Sequence, residues 1–232
     1  MNNKPYGMIC PITLVCDLLE PRWTIPILTE MWSGSRRFND IRRGLGSIST
    51  ALLSKRLKDM QEAGLVKRIK DDATGEIGCL RTQMAVELEP ALNALAVWAQ
   101  RNIDARIAVC NTKLPILMWK LRRDLVVAQL PQRRLVIRFH FSDDNLEFDT
   151  YWLLVRPGKA VELCTELPGI DADLYVETSV ASLTSILLAQ SSVSKELNNG
   201  QLYISGDATL AKTMGSWLPQ SDYADVDRIA VR

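Results

Sequence analysis

Apolar positions in the first sixty-odd residues recur at helical spacing in four short runs, each closed by a helix-ending residue. Pro21 closes the run over residues 12–19, and the run over 24–32 places Ile27, Leu28 and Met31 at core spacing ahead of Gly34. Residues 38–45 form a third run, Gly46 a turn, and Ser49 a good N-cap for a helix reaching about Ala63, where Gly64 stops it. The period then changes. LVKRIK and GCLRTQ read as strands on either side of the polar turn DDATGE, so a β-hairpin follows the fourth helix directly. From Thr82 to beyond Arg101 helical spacing returns, with Leu88, Leu92, Leu95 and Trp98 as one apolar stripe.

In the second half, Pro115 suits the first turn of a helix that would run through ILMWKLRRDLVVAQL to Pro131 and join the two halves. RLVIRFHF (134–141) then alternates, with Leu135, Ile137, Phe139 and Phe141 on one face; TYWLLVR (150–156), AVELC (160–164) and DLYVET (173–178) are further short strands. This pattern predicts an antiparallel sheet. A helix over 180–189, the strand GQLYISGD and a closing helix over 208–217 complete it. The order of elements predicts an α+β chain: an N-terminal helical and hairpin domain over 1–110, a linking helix over 111–132, and a sheet covered by helices over 133–232.

Two helices joined by a glycine-containing turn form a helix-turn-helix pattern, and a hairpin after the second helix is a wing. At about 100° per residue, Leu52, Leu53, Leu57 and Met60 must face a core. That leaves Ala51, Ser54, Lys55 and Lys58 pointing outward with Thr50 at the edge. A small first turn suits close approach to a major groove, where Ser and Thr reach base edges and Lys55 a guanine or phosphate. An ordinary solvated lysine face is the competing reading, and Arg56 lies where an internal ion pair competes with DNA contact.

Charge sharpens this picture. The net charge is only +1, but residues 1–114 carry 16 Lys and Arg against 12 Asp and Glu, and the remainder 12 against 15. Within residues 36–70 lie Arg36, Arg37, Arg42, Arg43, Lys55, Arg56, Lys58, Lys67, Arg68 and Lys70 against Asp40, Asp59 and Glu62, an electrostatic footprint for a polyanion such as double-stranded DNA, with a solvated basic face as the alternative. The DNA-facing candidates are Arg36, Arg37, Arg43, Thr50, Ala51, Ser54, Lys55, Lys58 and Lys70.

The segments CPI (10–12), RWTIPIL (22–28), RRFNDIRRGLGSIST (36–50), LLSKRLKDMQEAGLVKR (52–68) and LNALAVWA (92–99) resemble the HxlR-type winged helix-turn-helix regulators across about residues 8–105. The resemblance implies a homodimer, built from the N-terminal segment and the helix after the wing, that binds an inverted repeat. Some members use the cysteine of the CP motif as a redox sensor, and Cys10 stands there; the sequence offers no basic neighbour nearer than Lys4, so a structural thiol remains the alternative. The wing departs from the family's aromatic and proline-containing version, which puts wing contacts by Lys70 or Arg81 in doubt.

The tail NGQLYISGDATLAKTMGSWL (199–218), with the sheet before it, resembles the sterol-carrier-protein type 2 domain over about residues 115–220. That resemblance implies a sheet covered by helices around an apolar tunnel for a lipid-like effector. Trp119, Trp152, Leu154, Tyr175, Ile186, Leu187 and Trp217 are the candidate lining, with plain core as the alternative.

Composition sets outer limits. Hydrophobic residues at 47% and charged residues at 24% describe an ordinary globular chain, and no apolar run approaches a membrane span. The start MNNKPYGMICPI lacks the apolar core of a signal peptide, which points to the cytoplasm and reduced thiols. The five cysteines show no metal spacing, His140 is the only histidine, and no nucleophile elbow, HExxH, phosphate loop or GxGxxG occurs, so neither an enzyme nor a cofactor is expected. The expectation is a DNA-binding transcription regulator controlled by an apolar ligand. The alternative is a lipid-binding carrier using its winged domain only to dimerise.

Overall fold

The computed structural model describes residues 6–70, 77–103 and 112–226. The turn DDATGE, Cys110 and the domain boundary expected at residues 110–111 lie outside the described residues. The chain divides into two compact units, Met1–Ala94 and Leu95–Arg232.

In the first unit, helices α1 (Pro11–Leu19), α2 (Thr24–Trp32), α3 (Phe38–Leu45) and α4 (Thr50–Glu62) precede an antiparallel hairpin of β1 (Val66–Lys70) and β2 (Ile77–Arg81). Ile27, Leu28, Met31, Ile41, Leu45, Ile48, Leu53, Leu57, Met60 and Leu65 form one buried core. Each such side chain removed from water contributes about 1.5–3 kcal/mol. One charged group intrudes: Glu30 is buried on α2, and the Ser35 hydroxyl donates to its Oε1 at 2.6 Å. A Cβ at Gly44 on α3 would lie 2.1 Å from that carboxyl carbon, so the glycine lets α2 and α3 close over the acid.

The expected long helix after the wing is broken. It appears as α5 (Gln83–Glu87) and α6 (Glu89–Asn102), parted at Leu88. Pro90 is the physical reason, because it lacks an N–H and its ring crowds the carbonyl of Val86, one turn earlier. The stripe divides too: Leu92 is buried and Leu88 packs on the first unit's core, whereas Leu95 and Trp98 are 57% and 58% exposed.

The second unit takes in α6 from Leu95 onward, and its core begins with α7 (Leu114–Asp124), which ends well before Pro131. Leu125 turns extended, Val126 N–H donates to the Trp217 carbonyl at 3.0 Å, and Leu125 and Leu130 enter the core, so docking overrides helix propensity. A short 3-10 turn (Val127–Gln129) leads to strands β3 (Leu135–Phe141), β4 (Thr150–Val155), β5 (Glu162–Cys164) and β6 (Leu174–Thr178). Helices α8 (Val180–Leu187) and α9 (Val193–Asn198), strand β7 (Leu202–Gly206), and helices α10 (Ala208–Lys212) and α11 (Met214–Trp217) follow. The sequence pattern missed α9, a single short segment capped by Ser192, and merged α10 with α11.

The sheet order is β5-β4-β3-β6-β7. It is mixed and not antiparallel as expected, because β6 runs parallel to β3, pairing Ile137 with Leu174 and Phe139 with Val176. Only β3–β4, β4–β5 and β6–β7 are antiparallel. The segment 165–173 is not a hairpin turn but a crossover that returns the chain to the starting end of β3. One face of the sheet packs with α7, α8, α10 and α11 into the main core.

The SGD turn joins β7 to α10. Gly206 has φ 113°, and a Cβ there would lie 2.4 Å from the Asp173 carbonyl oxygen. Asp207 accepts from the N–H groups of Thr209 and Leu210, while Arg133 pairs with Asp207 at 2.9 Å and Asp173 at 2.6 Å. The Leu210 and Thr209 N–H groups, with the Arg133 guanidinium, hold the Asp207 carboxyl below its ordinary range.

Gly206→Ala should therefore cost about 2–5 kcal/mol through strain and overlap, read from urea unfolding followed by circular dichroism. A carboxyl with a lowered folded-state pKa stabilises fully above its ordinary value and loses that contribution as pH falls through the lowered one. Unfolding scans below about pH 4 should show this acid-side loss in the wild type and less of it in Asp207→Asn, which keeps a capping oxygen without the titration.

Candidate nucleic-acid interface

The turn between α3 and α4 is set by two residues. Gly46 takes φ 65°, donating its N–H to the Arg42 and Arg43 carbonyls, and Ile48 buries its side chain at 3% exposure. Ser49 then accepts from the Leu52 N–H at 3.2 Å, capping α4 as expected. With Leu53, Leu57 and Met60 buried, the opposite side of α4 presents Thr50, Ala51, Ser54, Lys55 and Lys58, all exposed.

Arg36 and Arg37 come from the extended segment before α3. The Arg36 carbonyl accepts from Cys79 N–H at 2.8 Å and Arg37 bridges Gly78, so this segment lies alongside β2 as a third short strand. Both side chains are exposed, as are Arg43 on α3 and Lys70 at the end of β1. All nine DNA-facing candidates thus lie on the surface of the first unit. Lys67 and Arg68, which the sequence reading counted in the basic cluster but left out of the site, are exposed on β1 as well.

The ion pairs that Arg43 and Lys58 make within their own helices are long and solvent-exposed. Arg43 lies 3.6 Å from Asp40 and Lys58 3.7 Å from Glu62, with side chains 63% and 74% exposed, and such pairs are worth about 0–1 kcal/mol. Lys55 makes no ion pair among the described residues. Arg56 behaves differently: it is only 22% exposed and donates to Asp59 at 3.1 Å, which fixes it to the side of the helix. Arg81 is also committed, paired with Glu89 at 2.9 Å and stacked 5.5 Å from the Trp32 ring. Burial raises the Cys79 thiol above its ordinary range, the nearby Arg68 opposing it.

Cys10 occupies the N-cap of α1, half-buried, its carbonyl accepting from the Thr13 N–H and hydroxyl. His140 holds the Thr150 hydroxyl at 3.1 Å. The seven ligand candidates are not brought together. Ile186, Leu187 and Trp217 lie in the main core on one face of the sheet, while Trp152 and Leu154 form a small cluster with Val136 on the other. Alternation along β4 is the reason, since Tyr151, Leu153 and Val155 take the core side. Tyr175 and Trp119 carry Arg138 and Arg122 against their rings at 5.9 and 4.7 Å.

Residues 18–107 match the model of the HxlR-like helix-turn-helix family. The HTH-type transcriptional regulator YvaP of Bacillus subtilis, itself uncharacterized, is 33% identical over 98 residues, covering 41% of this chain and 91% of its own. The uncharacterized HTH-type regulator sll1512 of Synechocystis is 32% identical over 90 residues, covering 38% and 67%. The reduced form of the transcriptional regulator YodB from B. subtilis aligns in three dimensions over 42% of this chain and 97% of its own, at 24% identity and a TM-score of 0.38. No helix of the described residues is long and apolar enough to cross a membrane.

If α4 carries the DNA contacts, binding to a short duplex should weaken steeply with salt. Lys55→Ala should cost about 1–3 kcal/mol, while Lys159→Ala, in the acidic half beyond residue 114, changes nothing measurable. Fluorescence anisotropy across a salt series reads both, and equal losses would remove α4 from the interface.

Proposed function

From its membership of the HxlR-like helix-turn-helix family, to which the chain belongs through residues 18–107, we infer that the protein is a sequence-specific regulator acting as a homodimer, with a ligand-responsive second unit. The observation that carries the DNA-binding part is the outward row Thr50, Ala51, Ser54, Lys55 and Lys58 on the helix after the Gly46 turn. Two small polar or apolar residues open the row, so the backbone can approach base edges, and lysines follow where phosphates pass. Arg36, Arg37, Arg43 and Lys70 extend the positive surface on the neighbouring elements.

Dimerisation is supported by apolar side chains that the first hundred residues leave uncovered. Ile9, Ile12 and Leu14 in and before α1 are exposed at 107%, 68% and 64%, and Leu95 and Trp98 stand open on α6. Exposed apolar surface on either element is of the kind that an isologous interface would cover. Cys10 is the redox candidate of the same reading, with a structural thiol as the alternative, because the thiol sits half-buried at the start of α1.

A ligand in the second unit would regulate only through a difference in its affinity for the DNA-bound and free forms, a coupling of about 5- to 150-fold. The support for such a role is a second compact unit whose core, from Leu114 to Leu218, lies outside the matched family region.

Leu95→Glu combined with Trp98→Glu should convert the dimer to a monomer in sedimentation velocity and weaken DNA binding by about tenfold or more, because two linked half-sites reinforce each other. A wild-type chain that sediments as a monomer while retaining full affinity would contradict the dimer.

A further inference from the structure

The second unit contains a cleft of about 480 Å³ between the start of α7 and the loop joining β3 to β4. None of the seven candidates chosen from the sequence lines it. Its walls are apolar: Leu114 and Pro115 from α7, Leu146 and Phe148 from the loop, Tyr151 from β4 and Val180 from α8. Its volume lies within the range of small-molecule sites. Two hydrogen bonds fix the loop beside the cleft: Phe141 N–H donates to the Asp149 carbonyl at 2.8 Å and the Asp143 carboxylate accepts from the Val180 N–H at 2.8 Å.

The rim is acidic. Among the described residues the lining of the cleft carries the carboxylates of Asp143, Asp144 and Glu147 and one cation, Lys113. Asp143 is engaged by the Val180 amide, whereas Asp144 and Glu147 are exposed and form no ion pair among the described residues. Burial raises the Tyr151 hydroxyl pKa and the Glu147 charge raises it further, which places that carboxylate's field on the cleft wall. The start of α7 offers an anion little: Pro115 has no N–H, and the Ile116 and Leu117 amides turn back to the Lys113 carbonyl at 3.0 Å.

We propose that this cleft binds a lipophilic cation, a small organic molecule whose apolar arms fill the walls and whose positive charge sits against Asp144 and Glu147. The rings of Phe148 and Tyr151 suit the same charge, because aromatic faces attract cations. As a binding site the cleft stands on its own geometry. As the effector site it rests on the ligand-responsive reading of the second unit given above.

Titration calorimetry of the full-length protein with tetraphenylphosphonium should show saturable binding, one ion per chain. Tetraphenylborate has the same shape and the opposite charge, and should not compete for the site. Replacing both rim carboxylates, Asp144→Asn with Glu147→Gln, should weaken the phosphonium about fivefold. Ala181→Trp, on an exposed position of α8 at the cleft wall, should abolish binding with the thermal unfolding midpoint preserved. Absence of phosphonium binding, competition by the borate, or unchanged affinity in both variants would overturn the proposal. Gel shifts with and without the phosphonium separate the two readings: binding with no change in DNA affinity keeps the site and removes its effector role.

Discussion

The burial of Leu53, Leu57 and Met60 against Ile41, Leu45 and Ile48 is the constraint on which the DNA-binding face depends. An α-helix places its side chains about 100° apart, so fixing three of them in a core fixes the direction of all the others. Thr50, Ala51, Ser54, Lys55 and Lys58 are outward because those three are inward. The Gly46 turn and the Ser49 cap set where the helix starts and therefore its rotation. A one-residue slip would bring Lys58 or Arg56 into the place of buried Leu57, and the desolvation cost of a buried cation forbids it. The glycine at position 44 serves the same geometry by letting α2 and α3 meet over the buried Glu30 carboxylate.

The second unit is organised by strand alternation and by one glycine. Leu135, Ile137, Phe139 and Phe141 line the core face of β3, and Val136, Arg138 and His140 between them take the other face. Gly206 and Asp207 turn β7 into α10 while Arg133 bridges Asp207 and Asp173 across elements distant in sequence. The SGD segment is thus explained as an architectural corner: a residue without Cβ where the Asp173 backbone approaches, followed by a side chain that caps the next helix.

Much of the first unit was legible because its signals are local. The spacing of Ile27, Leu28 and Met31, the cap at Ser49 and the stop at Gly64 each act within a few residues, and the structure has α2, α3 and α4 where the pattern put them. The break at Leu88 was legible in principle, since Pro90 announces it, but the apolar stripe continues through it and masks the interruption. Long-range features were not legible. The parallel pairing of β3 with β6 depends on a crossover, and a polar run such as 165–173 looks the same in sequence whether it turns or crosses. The ligand candidates failed to converge because hydrophobicity alone does not say which face of a sheet a residue takes. The acidic cleft joins segments about thirty residues apart or more, a juxtaposition with no local period to reveal it.

The central claim, that the outward row of α4 lies against DNA, is tested most directly by photo-cross-linking from single positions on that helix. A benzophenone amino acid placed at Ala51 should cross-link to duplex DNA at low salt and lose the adduct as salt displaces the complex. The same group at the exposed Gln61, near the far end of α4, should give little or none. Efficient cross-linking from Gln61 with none from Ala51 would contradict the approach of α4 to DNA by its N-terminal end and, with it, the assignment of the interface.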